Sequence, residues 1–183
     1  MKKLIYYVAT TVDNYIAHED GSADGFLPEG DHIQGFFDSL VNFDSVLMGK
    51  NTYTYGFQFG MKPGDPAYGP YNLKNYIFSR SLDFESNDHV QLIKADEVEF
   101  VRQLKQTSVE NGKQIWLCGG GAFAGTLLEN ELIDELILKV HPMIFGKGIA
   151  LFGPSTKNVS LIPYNSHTFN SGVMVHSYRI KYK

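Results

Sequence analysis

The sequence contains a single cysteine, Cys118, among its 183 residues. One cysteine cannot form an intramolecular disulfide, and a low cysteine content is typical of proteins from reducing compartments. We therefore expect a cytoplasmic protein. Long hydrophobic runs are also missing, because no apolar stretch reaches the roughly 20 residues that a membrane-spanning helix needs. We expect no membrane partner.

Positive charge is scarce as well. The chain has 16 Lys and Arg residues against 20 Asp and Glu residues, which gives a formal net charge of -4. Proteins that bind nucleic acids usually carry a basic surplus or a basic stripe, so we expect no nucleic-acid partner. The six histidines lack the spacing of metal ligands. We interpret them as structural or surface residues and expect no metal.

The sequence does contain a regular succession of strand-like and helix-like segments. Apolar runs predict strands at residues 3–9, 45–48, 75–78, 89–93, 114–118 and 135–141, with two more near residue 159 and at 173–180. Helices are predicted to begin at Asp31, at the capping box of Asp96 and Glu99, and at Ala122. This order predicts a single α/β domain over residues 1–183, with a mostly parallel central sheet, flanking helices and an antiparallel C-terminal edge.

Residues 56–72 are rich in Gly, Pro and aromatic residues and have no clear period. They predict a long loop, and long loops in compact domains often serve a site. Alternate aromatic residues at the start of this segment could line a pocket for a flat ring or anchor the loop in the core, and the sequence leaves both possibilities open. These residues are Tyr53, Tyr55, Phe57 and Phe59.

The most informative segment is residues 116–123, where an apolar strand runs into three glycines and then into a helical pattern. Glycine allows a backbone to approach a ligand closely. The start of the following helix offers unpaired N–H groups and the positive end of its dipole to a phosphate. The segment favours a dinucleotide pyrophosphate, although a tight strand-to-helix turn would require glycine for its geometry alone.

Two further predicted strands end in similar chemistry. Residues 49–52 read Gly-Lys-Asn-Thr, and residues 78–80 read Phe-Ser-Arg. Ligands of open α/β sheets bind at the carboxyl ends of strands, and the lysine and arginine would supply positive charge for phosphates. Three such ends in one sheet favour a nucleotide cofactor.

On these segments the sequence resembles the dihydrofolate reductase superfamily over essentially its whole length, and it is closest in pattern to the riboflavin-biosynthesis reductase branch. Residues 5–17 resemble the first strand and mobile active-site loop of that family. Residues 49–52 resemble a Gly-Arg-x-Thr element that holds cofactor phosphates, with Lys in place of Arg. Residues 134–136 and 142–152 fit the riboflavin-type branch.

The resemblance implies a dihydrofolate-reductase-like fold and an NADPH-dependent oxidoreductase. Such an enzyme transfers a hydride to a pterin-like or pyrimidine-like heterocycle, as dihydrofolate reductase or 5-amino-6-(5-phosphoribosylamino)uracil reductase does. It also makes a homodimer plausible. A non-catalytic NADPH-binding protein stays open as the alternative. The implied cofactor-binding residues are Ala9, Ile16, Gly49, Lys50, Asn51, Thr52, Phe78, Ser79, Arg80, Cys118, Gly119, Gly120, Gly121, Ala122 and Phe123.

Classical members of this family carry a catalytic carboxylate shortly after a Leu-Pro pair. Here the pair at residues 27–28 is followed by Glu29 and Asp31. The resemblance makes Asp31 the first candidate for the proton donor and Glu29 the second. Asp31 would also suit the N-cap of the helix that it begins, and the sequence leaves both roles open.

The substrate half of the site departs from the family pattern. Leu73 occupies the position of an arginine that binds the folate glutamate, and residues 40–41 read Leu-Val where a Leu-Arg pair holds a ribose phosphate. Lys139 and His141 alternate on a predicted strand and so share one face. A solvent-facing lysine is the favoured interpretation of Lys139, and a role in the substrate pocket stays open.

Overall fold

The computed structural model describes residues 1–183 and contains ten strands and four α-helices. None of the helices has both the length and the apolar character that crossing a membrane requires. The strands are β1 (Leu4–Thr11), β2 (Tyr15–Ala17), β3 (Phe43–Gly49), β4 (Lys74–Phe78), β5 (Val90–Ile93), β6 (Gln114–Gly119), β7 (Glu135–His141), β8 (Ile149–Ala150), β9 (Ser160–Thr168) and β10 (Met174–Lys181). The helices are α1 (Asp31–Ser39), α2 (Lys50–Tyr55), α3 (Glu97–Lys105) and α4 (Gly121–Glu129).

Eight strands form one sheet in the order β5-β4-β3-β6-β1-β7-β10-β9. The pairs from β5 to β7 are all parallel, whereas β10 runs antiparallel to both β7 and β9. The predicted fold class is therefore confirmed, including the antiparallel C-terminal edge. A separate antiparallel pair, β2 with β8, lies outside this sheet.

Both faces of the sheet are covered, as the near-continuous apolar strands require. On one face Tyr6 and Leu117 pack in a cluster with residues of α3 and α4, including Val101 and Leu127. On the other face the buried Trp116 packs among residues from the side of α1 and α2. The indole N–H of Trp116 donates a hydrogen bond to the carbonyl of Tyr7 at 2.9 Å, which satisfies the buried polar group.

The strand bounds differ from the sequence-based prediction where tertiary pairing decides them. β1 extends to Thr11, two residues beyond the predicted end, because Thr10 and Thr11 pair with Val140 and His141 of β7. Strands β2 and β8 were not predicted, since each is too short to show a period. The predicted cap of α3 is present: the Asp96 side chain accepts a hydrogen bond from the Glu99 N–H at 2.9 Å.

The long loop at residues 56–72 is held against the sheet by buried polar side chains. The Tyr53 hydroxyl accepts a hydrogen bond from the Gly64 N–H and donates one to the Asp65 carbonyl, both at 2.9 Å. The fully buried Asn75 accepts a hydrogen bond from the Ala67 N–H at 3.0 Å. Tyr53 therefore anchors the loop, which was one of the two possibilities left open for the aromatic series.

Asp134 joins three elements at the amino-terminal edge of the sheet. Its carboxylate accepts a hydrogen bond from the Leu4 N–H and forms an ion pair with the Lys105 ammonium, both at 2.7 Å. Its backbone N–H donates to the Leu4 carbonyl, and its backbone carbonyl accepts from the Ile180 N–H. Because Lys105 is 5% exposed, this carboxylate is the counterion of a buried charge.

Replacing Asp134 with Asn should lower the free energy of unfolding by about 2–3 kcal/mol, since a charge-assisted hydrogen bond is lost and the Lys105 ammonium is left without a counterion. Chemical denaturation measures the change. Asp83→Asn is the matched control, because Asp83 pairs with Lys94 but its side chain is 93% exposed. The control should change stability by less than about 0.5 kcal/mol. Equal effects of the two substitutions would contradict the prediction.

Candidate functional site

A large cavity of about 710 Å³ opens at the carboxyl ends of β3 and β6, beside the start of α4. This is the edge of a parallel sheet at which ligands bind in open α/β folds. The cavity also extends under residues of the β1–β2 region. It brings together eleven of the residues predicted to bind the cofactor, namely Ile16, Gly49, Lys50, Asn51, Thr52, Cys118, Gly119, Gly120, Gly121, Ala122 and Phe123.

A second cavity of about 250 Å³ adjoins the first and shares Gly49, Ala122 and Phe123 with it. Its lining includes the predicted residues Phe78, Ser79 and Arg80 at the end of β4. Lys50 lines the first cavity, and its ammonium donates a hydrogen bond to the Ser81 hydroxyl, next to Arg80, at 3.0 Å. The three strand ends singled out in the sequence therefore converge on two adjoining cavities.

The backbone at the end of β6 carries no side chains where it faces the first cavity. Gly119 has φ of +144°, which L-residues rarely adopt, and the Gly119–Gly120 peptide bond is cis. A Cβ added at Gly119 or Gly120 would lie 3.4 or 3.3 Å from the Thr52 hydroxyl oxygen. Glycine thus leaves the Thr52 hydroxyl and the peptide groups of the turn on one surface without a side chain between them.

Helix α4 begins at Gly121, and its first intrahelical N–H bond is the one from Ala124 to the Gly120 carbonyl at 2.9 Å. The N–H groups before it have no partner within the helix and point toward the cavity end of α4. Added Cβ atoms at Gly121 and Gly125 would lie under 3.0 Å from the backbone carbonyl oxygens of Ala150 and Phe152. The helix can therefore hold this position only because both residues lack side chains.

The charges around the two cavities suit an anion at the glycine turn. The Lys50 ammonium and the Arg80 guanidinium form no ion pair with a carboxylate. Of the acidic residues that line the cavities, Glu19 is paired with Lys147 at 2.7 Å, the Asp20 carboxylate accepts a hydrogen bond from the Ser22 N–H, and Glu97 is the first residue of α3. The bare turn, the start of α4 and two free cations together form a donor set that fits the phosphates of a dinucleotide.

Ala9 is the one predicted cofactor residue that lines neither cavity. Its neighbour Val8 lines the large cavity, because successive side chains of β1 point to opposite faces of the sheet. Tyr55 and Ile149 also line this cavity and were not predicted to bind the cofactor. Tyr55 is therefore the member of the aromatic series that lines a pocket. Ile149 is placed there by the pairing of β8 with β2, and two strands this short leave no signal in the sequence.

The two predicted acids, Asp31 and Glu29, line neither cavity. The N-cap role of Asp31 is wrong: Gly30 is the N-cap, and the Asp31 carboxylate instead accepts hydrogen bonds from the backbone N–H groups of Asn170 and Ser171. The bond from Asn170 is the main cause of a lowered pKa of Asp31, so this carboxyl stays ionised at neutral pH. Glu29 is exposed in the loop before α1. A contact of either residue with substrate stays a prediction.

Lys139 does not face solvent as the sequence suggested. It is half-buried, and its ammonium nitrogen lies 4.9 Å from the centroid of the Phe36 ring of α1. Burial lowers the pKa of Lys139.

No group of three or more His, Cys, Asp and Glu side chains has the arrangement of a metal site.

Comparisons with known proteins show the family and the fold of the chain. The family model described as the RibD C-terminal domain matches residues 2–175. The uncharacterized protein YwjB of Bacillus subtilis (strain 168) is 34% identical over 182 residues, which cover 97% of this chain and 98% of that protein.

Two solved structures show the same fold. A protein of Shewanella sp. PV-4 provisionally assigned to riboflavin biosynthesis has a TM-score of 0.77 at 24% identity, and the match covers 99% of both chains. A diaminohydroxyphosphoribosylaminopyrimidine deaminase/5-amino-6-(5-phosphoribosylamino)uracil reductase of Thermotoga maritima has a TM-score of 0.67 at 19% identity. That match covers 98% of this chain but 56% of the bifunctional enzyme. The predicted dihydrofolate-reductase-like fold and its riboflavin-type branch are confirmed.

Replacing Gly121 with Ala should destabilise the protein by about 1–3 kcal/mol, because the new methyl group would press α4 away from the Ala150 carbonyl. Thermal unfolding measures the loss. Gly69→Ala is the matched control, since an added Cβ there lies 3.8 Å from its nearest neighbour and the backbone needs no positive φ. A Gly121→Ala protein as stable as the control would show that α4 does not depend on this close approach.

Proposed function

Because the chain belongs to the RibD C-terminal domain family, we propose that it is an NADPH-dependent oxidoreductase that reduces a pterin-like or pyrimidine-like heterocycle. The observation that carries this proposal is the convergence of three strand ends on two adjoining cavities, where a glycine turn without side chains lies on the same edge of the sheet as two cations that form no ion pair. Members of this family typically use NAD(P)H. The similarity of the fold to that of a uracil-derivative reductase supports the pyrimidine-like class of substrate.

The proposed cofactor would lie across both cavities. Thr52, the turn at residues 119–121 and the start of α4 would bind its pyrophosphate, with Lys50 beside them. Ser79 and Arg80 in the smaller cavity would bind the 2′-phosphate of the adenosine half. Ile16 and the end of β1 would then contact the nicotinamide half.

When bound, NADPH supplies a hydride. The residues of this chain orient the cofactor and substrate and exclude water from the space between them. The pairing of β2 with β8 holds β2 over the large cavity, because Ile16, Ala17 and Ile149 all line it. Asp13 fixes the loop between β1 and β2, since its carboxylate accepts hydrogen bonds from the N–H groups of Phe145 and Gly146.

The substrate side supports a ring other than dihydrofolate. Leu73, which stands in place of an arginine clamp, is 2% exposed and belongs to the core. The neighbouring Lys74 ammonium donates hydrogen bonds to the backbone carbonyls of Asn87 and Asp88. Neither side chain is free to bind the carboxylate of a folate tail.

The same departures motivate the alternative, a protein that binds NADPH without turning over a substrate. The Asp31 carboxylate already accepts hydrogen bonds from the N–H groups of Asn170 and Ser171, which also favours this alternative. A screen of oxidised pterins and pyrimidines for NADPH oxidation separates the two functions. Tight NADPH binding with no oxidation by any compound of either class favours the binding protein.

The cofactor is tested by calorimetric titration with NADPH and NADH. We expect NADPH to bind more tightly, and Arg80→Ala to weaken NADPH binding by about tenfold or more while NADH binding stays unchanged, because only NADPH carries the phosphate that Arg80 would contact. Arg102→Ala is the control, since Arg102 pairs with Glu99 on the exposed side of α3. An unaltered NADPH-to-NADH ratio in Arg80→Ala would remove Arg80 from the site, and no binding of either nucleotide would refute the reductase.

We also propose that the protein is a homodimer that pairs through β9. This edge strand is exposed along all nine residues, and the exposed fractions of Leu161 and Ile162 are 42% and 48%. An exposed edge strand with aliphatic side chains of this kind can pair with a strand of another chain.

Sedimentation analysis should find a dimer for the native protein and a monomer for Ile162→Lys, because a charge on the edge opposes strand pairing. Val41→Lys is the control, as Val41 is 61% exposed and lies outside the sheet edge. A native protein that stays monomeric at micromolar concentration, or a dimer that survives Ile162→Lys, would contradict this arrangement.

A further inference from the structure

Two polar side chains of β7 on the α1 side of the sheet, those of Lys139 and His141, line neither of the two cofactor cavities. Cys118 and Ile137 pack against the apolar cluster of this face. Because side chains alternate along a strand, Lys139 and His141 of β7 project from the same face as Ile137. Both lie at the carboxyl-terminal end of β7, where the backbone of β1 pairs Ala9 with Lys139 and Thr11 with His141.

Lys139 is a half-buried cation without a counterion. Its ammonium forms no ion pair and no hydrogen bond, and its contact is with the Phe36 ring. The titratable groups near it are Cys118 and His141, and neither is an anion. Burial raises the pKa of the Cys118 thiol to about 12, which keeps that thiol neutral. An ammonium in these surroundings lacks the partner that buried charges normally have.

His141 is a second donor without a partner, and it is 1% exposed. Its Nδ1 accepts a hydrogen bond from the Leu27 N–H at 3.2 Å, so the ring proton lies on Nε2. Nε2 is buried and has no hydrogen-bond partner. Burial, with the charge of Lys139 as a smaller cause, lowers the pKa of His141 to about 4. The ring is therefore neutral at pH 7 and presents one N–H.

We propose that Lys139 and His141 form the substrate subsite and bind the oxygen edge of a flat, anionic ring, such as the enolate of an oxygenated pyrimidine. A cation and a neutral N–H together require hydrogen-bond acceptors with negative charge. A ring that presents amino groups on this edge would place donors against donors, and the subsite would reject it.

The subsite adjoins the cofactor cavity, and in this respect the proposal rests on the proposed function. Cys118 lines the large cavity and lies near Lys139, and Ala9 is the partner of Lys139 on β1. A ring bound at Lys139 would thus lie next to the nicotinamide half of the cofactor.

The first test is the stability of Lys139→Met, which keeps the length of the side chain and removes the charge. A residue kept for binding leaves the free protein less stable than it could be. The midpoint of thermal unfolding should therefore rise by about 2–4 °C. Lys157→Met is the matched control, and it should not raise the midpoint because Lys157 is paired with Glu131. A fall of the same size in Lys139→Met would make the lysine structural and would overturn the subsite.

The second test is calorimetric binding of two pyrimidines, barbiturate as an anion with oxygen edges and 2,4-diaminopyrimidine as a ring with amino groups, with and without NADPH. The native protein should bind barbiturate about tenfold or more tightly than the diamine. Lys139→Met should lose this preference, and Lys139→Arg should retain it. NADPH affinity should be the same in all three proteins.

The outcomes separate the subsite from the proposed function. Absence of barbiturate binding to the native protein, or equal binding to native and Lys139→Met proteins, overturns the subsite, and NADPH binding in the same titrations leaves the reductase standing. Barbiturate binding that depends on Lys139 in a protein without affinity for NADPH supports the subsite and refutes the reductase.

Discussion

The close approach of α4 to the backbone at residues 150–153 is the contact on which the candidate site depends. Gly121 and Gly125 stand one helical turn apart and meet the carbonyls of Ala150 and Phe152 without a side chain between them. This packing fixes the start of α4 at the ends of β3 and β6. It also fixes β8, which holds β2 above the large cavity. The two glycines therefore position both the anion-binding surface and the β2–β8 pair that lies above it.

Paired charges and unpaired cations lie at opposite edges of the sheet. At the amino-terminal edge of the sheet the charges are paired, as in the ion pairs of Lys105 with Asp134 and of Lys3 with Glu135. At the carboxyl-terminal edge Arg80 and Lys139 have no counterion. A chain with a net charge of -4 thus keeps unpaired cations where it would meet an anionic cofactor and an anionic ring.

The cofactor half of the site could be predicted because its signals are local. A strand that ends in Gly-Gly-Gly and a strand that ends in Gly-Lys-Asn-Thr are each readable from a few adjacent residues, and parallel strands bring such ends to one edge. The substrate half could not be read in this way. Asp31 looks like a cap or an acid in the sequence, but its carboxylate is taken by the N–H groups of residues 170 and 171, far along the chain.

The sequence by itself determined the α/β architecture, the antiparallel C-terminal edge and the glycine turn, since periodicity and backbone freedom are properties of neighbouring residues. Only the tertiary structure decided which charges are paired. Lys105 and Lys139 both follow a leucine in a predicted helix or strand, yet one meets Asp134 and the other meets the ring of Phe36. That difference arises from contacts between distant segments, and it identifies the residues left free for a ligand.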